Sequence, residues 1–235
     1  MIICESQCTI WSLILQIYHD CLINYRTDEQ APIPNVFDQL IARVQIMNQN
    51  DDALFNCQMG RGRTTTGMVI AMMLKLVESS HGNHETLSEL LLENSKLEEL
   101  FIDEGDEPME HGYKRGEYRI IIKLLAVLGH GKLAKGLADH AIDKCEQVQN
   151  LRQAIFDFKT RLLAVQNNLT RKYLDMAEVA INYLMRYFYL ITFADYLLES
   201  YSVGYENLTF VEWLSSHQEI VHLTKIDKLN PSIFE

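Results

Sequence analysis

Beyond Tyr118 the chain is a succession of helical segments, and this limits its fold more than any other feature. The stretches EYRIIIKLLAVL, LADHAIDKCEQVQNLRQAIFDFKTRLLAV, RKYLDMAEVAINYLMRYFYLITFADYLLES and FVEWLSSH contain few prolines, and glycines fall at the junctions. That is the punctuation of consecutive helices, so the C-terminal half is expected to be almost entirely helix. Tyr183, Tyr187, Phe188, Tyr189, Phe193 and Tyr196 form an aromatic-rich stripe, read as helix core rather than as a ligand box.

The first half reads differently. In APIPNVFDQLIARVQIMNQ the apolar positions Val36, Phe37, Leu40, Ile41 and Val44 recur at helical spacing, and Pro34 suits a first turn whose φ is already fixed. DDALFNC is a short apolar run, suited to a buried strand. After a glycine-rich loop, TTTGMVIAMMLKLVES is long, apolar on most faces and free of proline, which predicts a buried helix starting near Arg63. The order is helix, strand, loop, helix. A short acidic helix is expected at about residues 86–99, followed by a loop rich in Gly, Asp and Glu. The apolar segment TIWSLILQIY near the N-terminus has no basic flank and is too short to cross a bilayer, so it is read as core.

With 235 residues, 48% of them hydrophobic, the chain is long enough to bury a substantial core. Its formal net charge of -11 disfavours nucleic acid and anionic membranes as partners, so an anion site must be a local positive feature in a negative field. Five cysteines, Cys4, Cys8, Cys21, Cys57 and Cys145, do not form a disulfide framework, and their odd number suits a reducing, cytoplasmic compartment. Cys4, Cys8 and Cys21 lack the paired spacing of a metal site, and His81 and His84 are read as solvated; neither a metal nor a cofactor is expected.

The junction ALFNCQMGRGRTTTGMVIAMML carries the chemistry. Cys57 and Arg63 are separated by five residues, Gln58, Met59, Gly60, Arg61 and Gly62, and Thr64 follows. A loop of this size between strand and helix curls so that consecutive backbone N–H groups point inward, a nest for a tetrahedral oxyanion at the positive end of the helix. Glycines suit it because the backbone must approach the anion closely. Arg63 is placed to clamp two phosphate oxygens with its planar fork. The same field favours the Cys57 thiolate and makes it a nucleophile for phosphoryl transfer. The Thr64 hydroxyl is positioned to hydrogen-bond the sulfur and ease its expulsion, against a plainer role in starting the helix. A Walker loop would need Gly-Lys-Ser/Thr, and a dinucleotide fingerprint a third glycine; both fail on spacing.

The signature FNCQMGRGRTTTGMVIA resembles that of the paladin group within the cysteine phosphatases, relatives of the phytase-like tyrosine phosphatases. YRTDEQAPIPNVFDQLIARV is similar to the acid-loop region before that signature, and GEYRIIIKLLAVLGHGKLAKGLADHAIDKCEQVQNLRQAI to the helical segment after it. The resemblance implies a phosphatase fold, α/β with a central parallel sheet flanked by helices, and a largely α-helical C-terminal half. It implies a cysteine-phosphatase-like domain over residues 1–118 and a helical region over 119–235 packed on it. A single or C-terminal module is expected; the residues before the acid loop do not clearly supply the strands expected there, which fits a fragment, a divergent single module or an imperfect gene model incomplete at its N-terminal edge. Through the same resemblance Asp28 is the general acid, with Glu29 as local rival, in a two-step mechanism through a phosphocysteine. Asn56 stands where many cysteine phosphatases have histidine.

The expected function is therefore a cysteine-dependent phosphatase acting on a phosphorylated substrate, either a small polyanion or a phosphopeptide. Arg61 favours a polyanion such as an inositol phosphate or phosphoinositide headgroup, and the cluster Lys114, Arg115, Arg119 is a second basic feature. The alternatives are a phosphate-binding scaffold of weak activity and a helical interaction module.

Overall fold

The structure is a computed structural model that describes residues 2–3, 21–22, 31–47, 53–57, 62–89, 91, 108–165, 171–203 and 208–226. The expected acidic helix begins in a helical segment at 84–89, and most of its remaining length lies outside these residues. Three strands are described, β1 (Ile2–Ile3), β2 (Cys21–Leu22) and β3 (Phe55–Asn56), each of two residues, paired in parallel in the order β2-β1-β3. The expectation of a parallel sheet flanked by helices is corrected here. The described residues are mostly helical, and β pairing is confined to these short contacts. Two-residue strands offer no apolar face wide enough to carry layers of helices, so the helices bury one another instead.

Helix α1 (Pro34–Gln45) begins with Pro34 in its first turn, where a missing N–H costs nothing, and buries Val36, Phe37, Leu40 and Val44. Helix α2 (Gly62–Ser79) buries residues on nearly every side, including Val69, Ile70, Met73, Leu74 and Val77. It packs against β3 and α1, and against two later helices, α5 (Gly131–Lys144) and α7 (Arg171–Val203). Between them lie α3 (Pro108–Lys114), α4 (Arg119–Val127) and α6 (Leu151–Val165). Two short helices close the described chain, α8 (Phe210–Ser216) and α9 (Gln218–Ile226).

Helix α7, with 33 residues, is about 50 Å long and is the axis on which α2, α4, α5, α6 and α8 pack. Leu184 to Leu198 is almost continuously buried, as a helix surrounded by helices requires. The aromatic stripe supplies this core: Tyr187, Phe188 and Phe193 are fully buried, while Tyr183 and Tyr189 are half-buried. Some buried polar groups of α7 and the helices beside it find partners. The Tyr187 hydroxyl donates to Asp139 of α5 at 2.6 Å, and Arg152 of α6 pairs with both Asp139 and Asp143. Among the described residues no helix is long and apolar enough to cross a membrane.

The first helix is tied to the end of the chain by a carboxylate. Asp38 of α1 accepts the backbone N–H groups of Phe210 at 2.6 Å and Val211 at 3.2 Å, while Thr209 and Glu212 form a capping box at the same helix start. These contacts satisfy N–H groups that a helix cannot bond internally. Burial pushes the Asp38 carboxyl up, and the two backbone donors oppose that rise.

Candidate phosphate-binding cysteine site

Cys57 follows β3 directly, and α2 begins at Gly62, one residue before the expected start. The sulfur is buried, with 7% of the residue exposed, and receives a hydrogen bond from Thr64 Oγ1 at 3.1 Å. Because Thr64 lies in the first turn of α2, this contact holds the sulfur at the positive end of that helix. No acidic residue occupies the first turn to offset it. Thr66 donates its hydroxyl to the Gly62 carbonyl at 2.8 Å. Arg63 is half-buried beside Thr64. Burial raises the pKa of Cys145, which is a core thiol.

The loop residues Gln58, Met59, Gly60 and Arg61, and the expected acid Asp28 with its rival Glu29, lie outside the described residues. The structure thus brings together Cys57 and Thr64. It ties the other basic cluster into helix packing: Lys114 of α3 lies over the Phe156 ring of α6, and Arg115 pairs with Glu117 at 2.9 Å. Among the described residues no three His, Cys, Asp or Glu side chains converge to hold a metal. His84 is half-buried, its ring edge-on to His130 at 4.6 Å, rather than solvated.

Two glycines are required by what lies against them. A Cβ on Gly67 would stand 2.8 Å from Phe55 Cδ1, so the glycine lets β3 approach α2 closely. A Cβ on Gly62 would stand 2.8 Å from Nη1 of Arg186, a residue of α7. Sequence reasoning missed Arg186; its one signal is a lone cation inside the aromatic stripe.

A short strand, a cysteine at its end and a helix whose first turn bonds the sulfur agree with what comparison finds. Residues 25–75 match the PTP-like phytase family, described as inositol hexakisphosphate, so this segment is similar to the phosphatase-like class. The chain is 28% identical over 211 residues to paladin from Danio rerio, covering 83% of this chain and 22% of that protein. It is also 28% identical over 176 residues to paladin from Homo sapiens, covering 72% of this chain and 18% of that protein. On these matches the chain is similar to the paladins, and it spans about a fifth of the length of the curated relatives it matches. No solved structure matches it significantly.

Proposed function

We propose that this protein is a cysteine-dependent phosphatase that hydrolyses phosphomonoesters through a phosphocysteine. The observation that carries this reading is the Thr64 hydroxyl bonded to the buried Cys57 sulfur at the N-terminus of α2. A hydrogen-bond donor and a helix terminus both favour thiolate over thiol, and the thiolate is the nucleophile.

In the first step the Cys57 sulfur attacks phosphorus, the S–P bond forms and the P–O bond to the leaving group breaks. Asp28 gives its proton to the departing oxygen, and Arg63 with the loop N–H groups holds the remaining phosphoryl oxygens. In the second step water attacks the phosphocysteine, its proton passes to the Asp28 carboxylate, and the S–P bond breaks to release phosphate. The Thr64 hydroxyl stabilises the sulfur as it leaves. No cofactor is needed. The family description favours an inositol phosphate as substrate, and the cation Arg61 agrees with that polyanion. A phosphopeptide is the other candidate, and the net charge of -11 argues against nucleic acid.

A second reading, a phosphate-binding scaffold of weak activity, is favoured by Asn56, which precedes the cysteine where histidine is frequent in such enzymes. The test is Asp28→Asn, assayed with an inositol phosphate and with an activated aryl phosphate. Loss of about two to four orders of magnitude on the alkoxide leaving group, with much less on the aryl, supports the enzyme. Equal loss on both removes Asp28 from the acid role. Vanadate binding by a wild-type protein that turns over neither substrate favours the scaffold.

A further inference from the structure

The turn between α4 and α5 is built against α7. Gly129 lies beside Glu199 of α7, and a Cβ on Gly131 would collide with the Leu125 carbonyl. His130, between the two glycines, immediately precedes α5, and its side chain makes no cap there. The cap comes from α7 instead: Asp195 Oδ1 accepts the His130 backbone N–H at 2.8 Å. A carboxylate so placed satisfies a donor that the helix cannot bond internally and sits at the helix's positive end.

Only 1% of Asp195 is exposed, and its Oδ2 has no hydrogen-bond partner. The His130 ring stands beside it. Its buried Nδ1 is 3.8 Å from Asp195 Oδ1 and is also without a hydrogen bond, while 31% of the side chain reaches the surface. Two unsatisfied buried atoms, one from each residue, thus belong to a single pair. The other groups around it do not neutralise the carboxylate. Glu199, one turn further along α7, adds negative charge and accepts the Trp213 Nε1–H of α8 at 2.8 Å. His84 lies edge-on to His130 at 4.6 Å, with Nε2 at 3.5 Å from the Leu198 carbonyl, and His217 stacks on Trp213 at 4.1 Å. Among the described residues no lysine or arginine pairs with Asp195, so the imidazole is its available counter-charge. Burial, helped by Glu199, pushes the Asp195 carboxyl up, and the His130 N–H and ring oppose that rise.

We propose that His130 and Asp195 form a proton-operated latch, which fastens the α4–α5 turn to α7 when the pair takes up a proton and loosens it when the proton leaves. The proton comes from solvent to the partly exposed imidazole. Nδ1–H then donates to the carboxylate, and the buried charge gains the opposite charge it lacks. Without that proton the carboxylate is buried beside a neutral ring, at a cost in stability. The latch therefore strengthens the fold as pH falls into the histidine range and weakens it as pH rises. A charge on His84 would repel the one on His130 and limits the gain.

Asp195→Asn keeps an acceptor for the His130 N–H and removes the charge. Thermal melts of wild type, Asp195→Asn, His130→Gln and the double variant are compared at pH 5.5 and pH 8.5, on either side of the histidine range. His140, whose titration moves stability the other way, is common to all four and cancels. Asp195→Asn is expected to melt about 3 °C or more below wild type at pH 5.5, and at or above wild type at pH 8.5. In the His130→Gln background, Asn at 195 should melt at or above Asp at both pH values. Amide exchange over residues 129–134, corrected for its intrinsic pH dependence, should be slower in wild type at the lower pH, a difference that Asp195→Asn abolishes. Melting differences between wild type and Asp195→Asn that are the same at both pH values would overturn the proposal and leave Asp195 a plain helix cap. So would a crossing of the two that survives His130→Gln, since Asp195 would then titrate alone.

Discussion

Thr64 donates its hydroxyl to the Sγ of Cys57 across 3.1 Å, seven residues back along the chain and across the end of the cysteine loop. Such a bond stabilises sulfur most when it is negative, as the proposed mechanism requires before attack and on departure from phosphorus. Thr64→Val keeps the shape of the side chain and removes the donor. Its midpoint for iodoacetamide labelling of Cys57 against pH should rise relative to wild type, and turnover should fall about ten-fold or more, while Thr64→Ser retains most of both. Cys145, whose thiol is pushed up by burial, should stay slow throughout and serves as an internal control. An unchanged midpoint in Thr64→Val would leave the hydroxyl a structural role only.

Arg63→Lys keeps the charge and loses the fork. If Arg63 grips two phosphoryl oxygens, the lysine variant should lose about two orders of magnitude or more in turnover and bind vanadate distinctly more weakly. Near wild-type kinetics in this variant would mean that the cradle does not use Arg63 bidentately.

Gly67→Ala tests the contact between β3 and α2. Alanine gains about 1 kcal/mol of helix propensity, yet its Cβ would stand 2.8 Å from the Phe55 ring, and overpacking of this kind costs about 1–3 kcal/mol. The expected result is a net loss of stability in denaturant melts. Vanadate affinity should weaken with it, because Phe55 lies two residues before Cys57. A more stable variant with unchanged affinity would show that β3 does not depend on this close approach.

His140 of α5 titrates below the ordinary histidine value, chiefly because burial disfavours its charged form and secondly because Lys144 repels it. The unfolded chain therefore binds a proton at His140 more readily than the folded one. Its contribution to stability is complete above pH 6.5 and is lost as pH falls through the lower folded value. Melting temperature should drop between pH 7.5 and pH 5, and His140→Gln should flatten part of that drop. Parallel curves for wild type and variant would contradict the assignment.

What was legible in the sequence was what depends on local pattern. Pro34 and the spacing of Val36, Phe37, Leu40 and Val44 mark α1, and the proline-free apolar run after Gly62 marks α2. The aromatic stripe of α7 reads as core and is core. The sheet was over-read: a short apolar run at DDALFNC was extended, through family resemblance, into a layer, whereas the described strand holds Phe55 and Asn56 alone. The proximity of Thr64 to Cys57 follows from loop length. Contacts between distant segments do not follow from any local pattern. The Asp38 cap on Phe210 joins residues 172 apart, and Arg186 reaches Gly62 from another helix. On its own helix a lone arginine among aromatics reads equally as a solvated cation, since only the packing of α7 on α2 buries it.

The central claim is that Cys57 carries the phosphoryl group, and the most direct measurement is to trap it there. Wild-type protein and Cys57→Ser are mixed with an activated aryl phosphate, quenched in acid within the first turnover, digested and examined by mass spectrometry. The account predicts a phosphate adduct on the Cys57 peptide of the wild type, formed and lost at rates that match aryl release, and neither adduct nor turnover in Cys57→Ser. Aryl phosphate hydrolysis by the wild type without an adduct on Cys57, or at equal rate in Cys57→Ser, would contradict it.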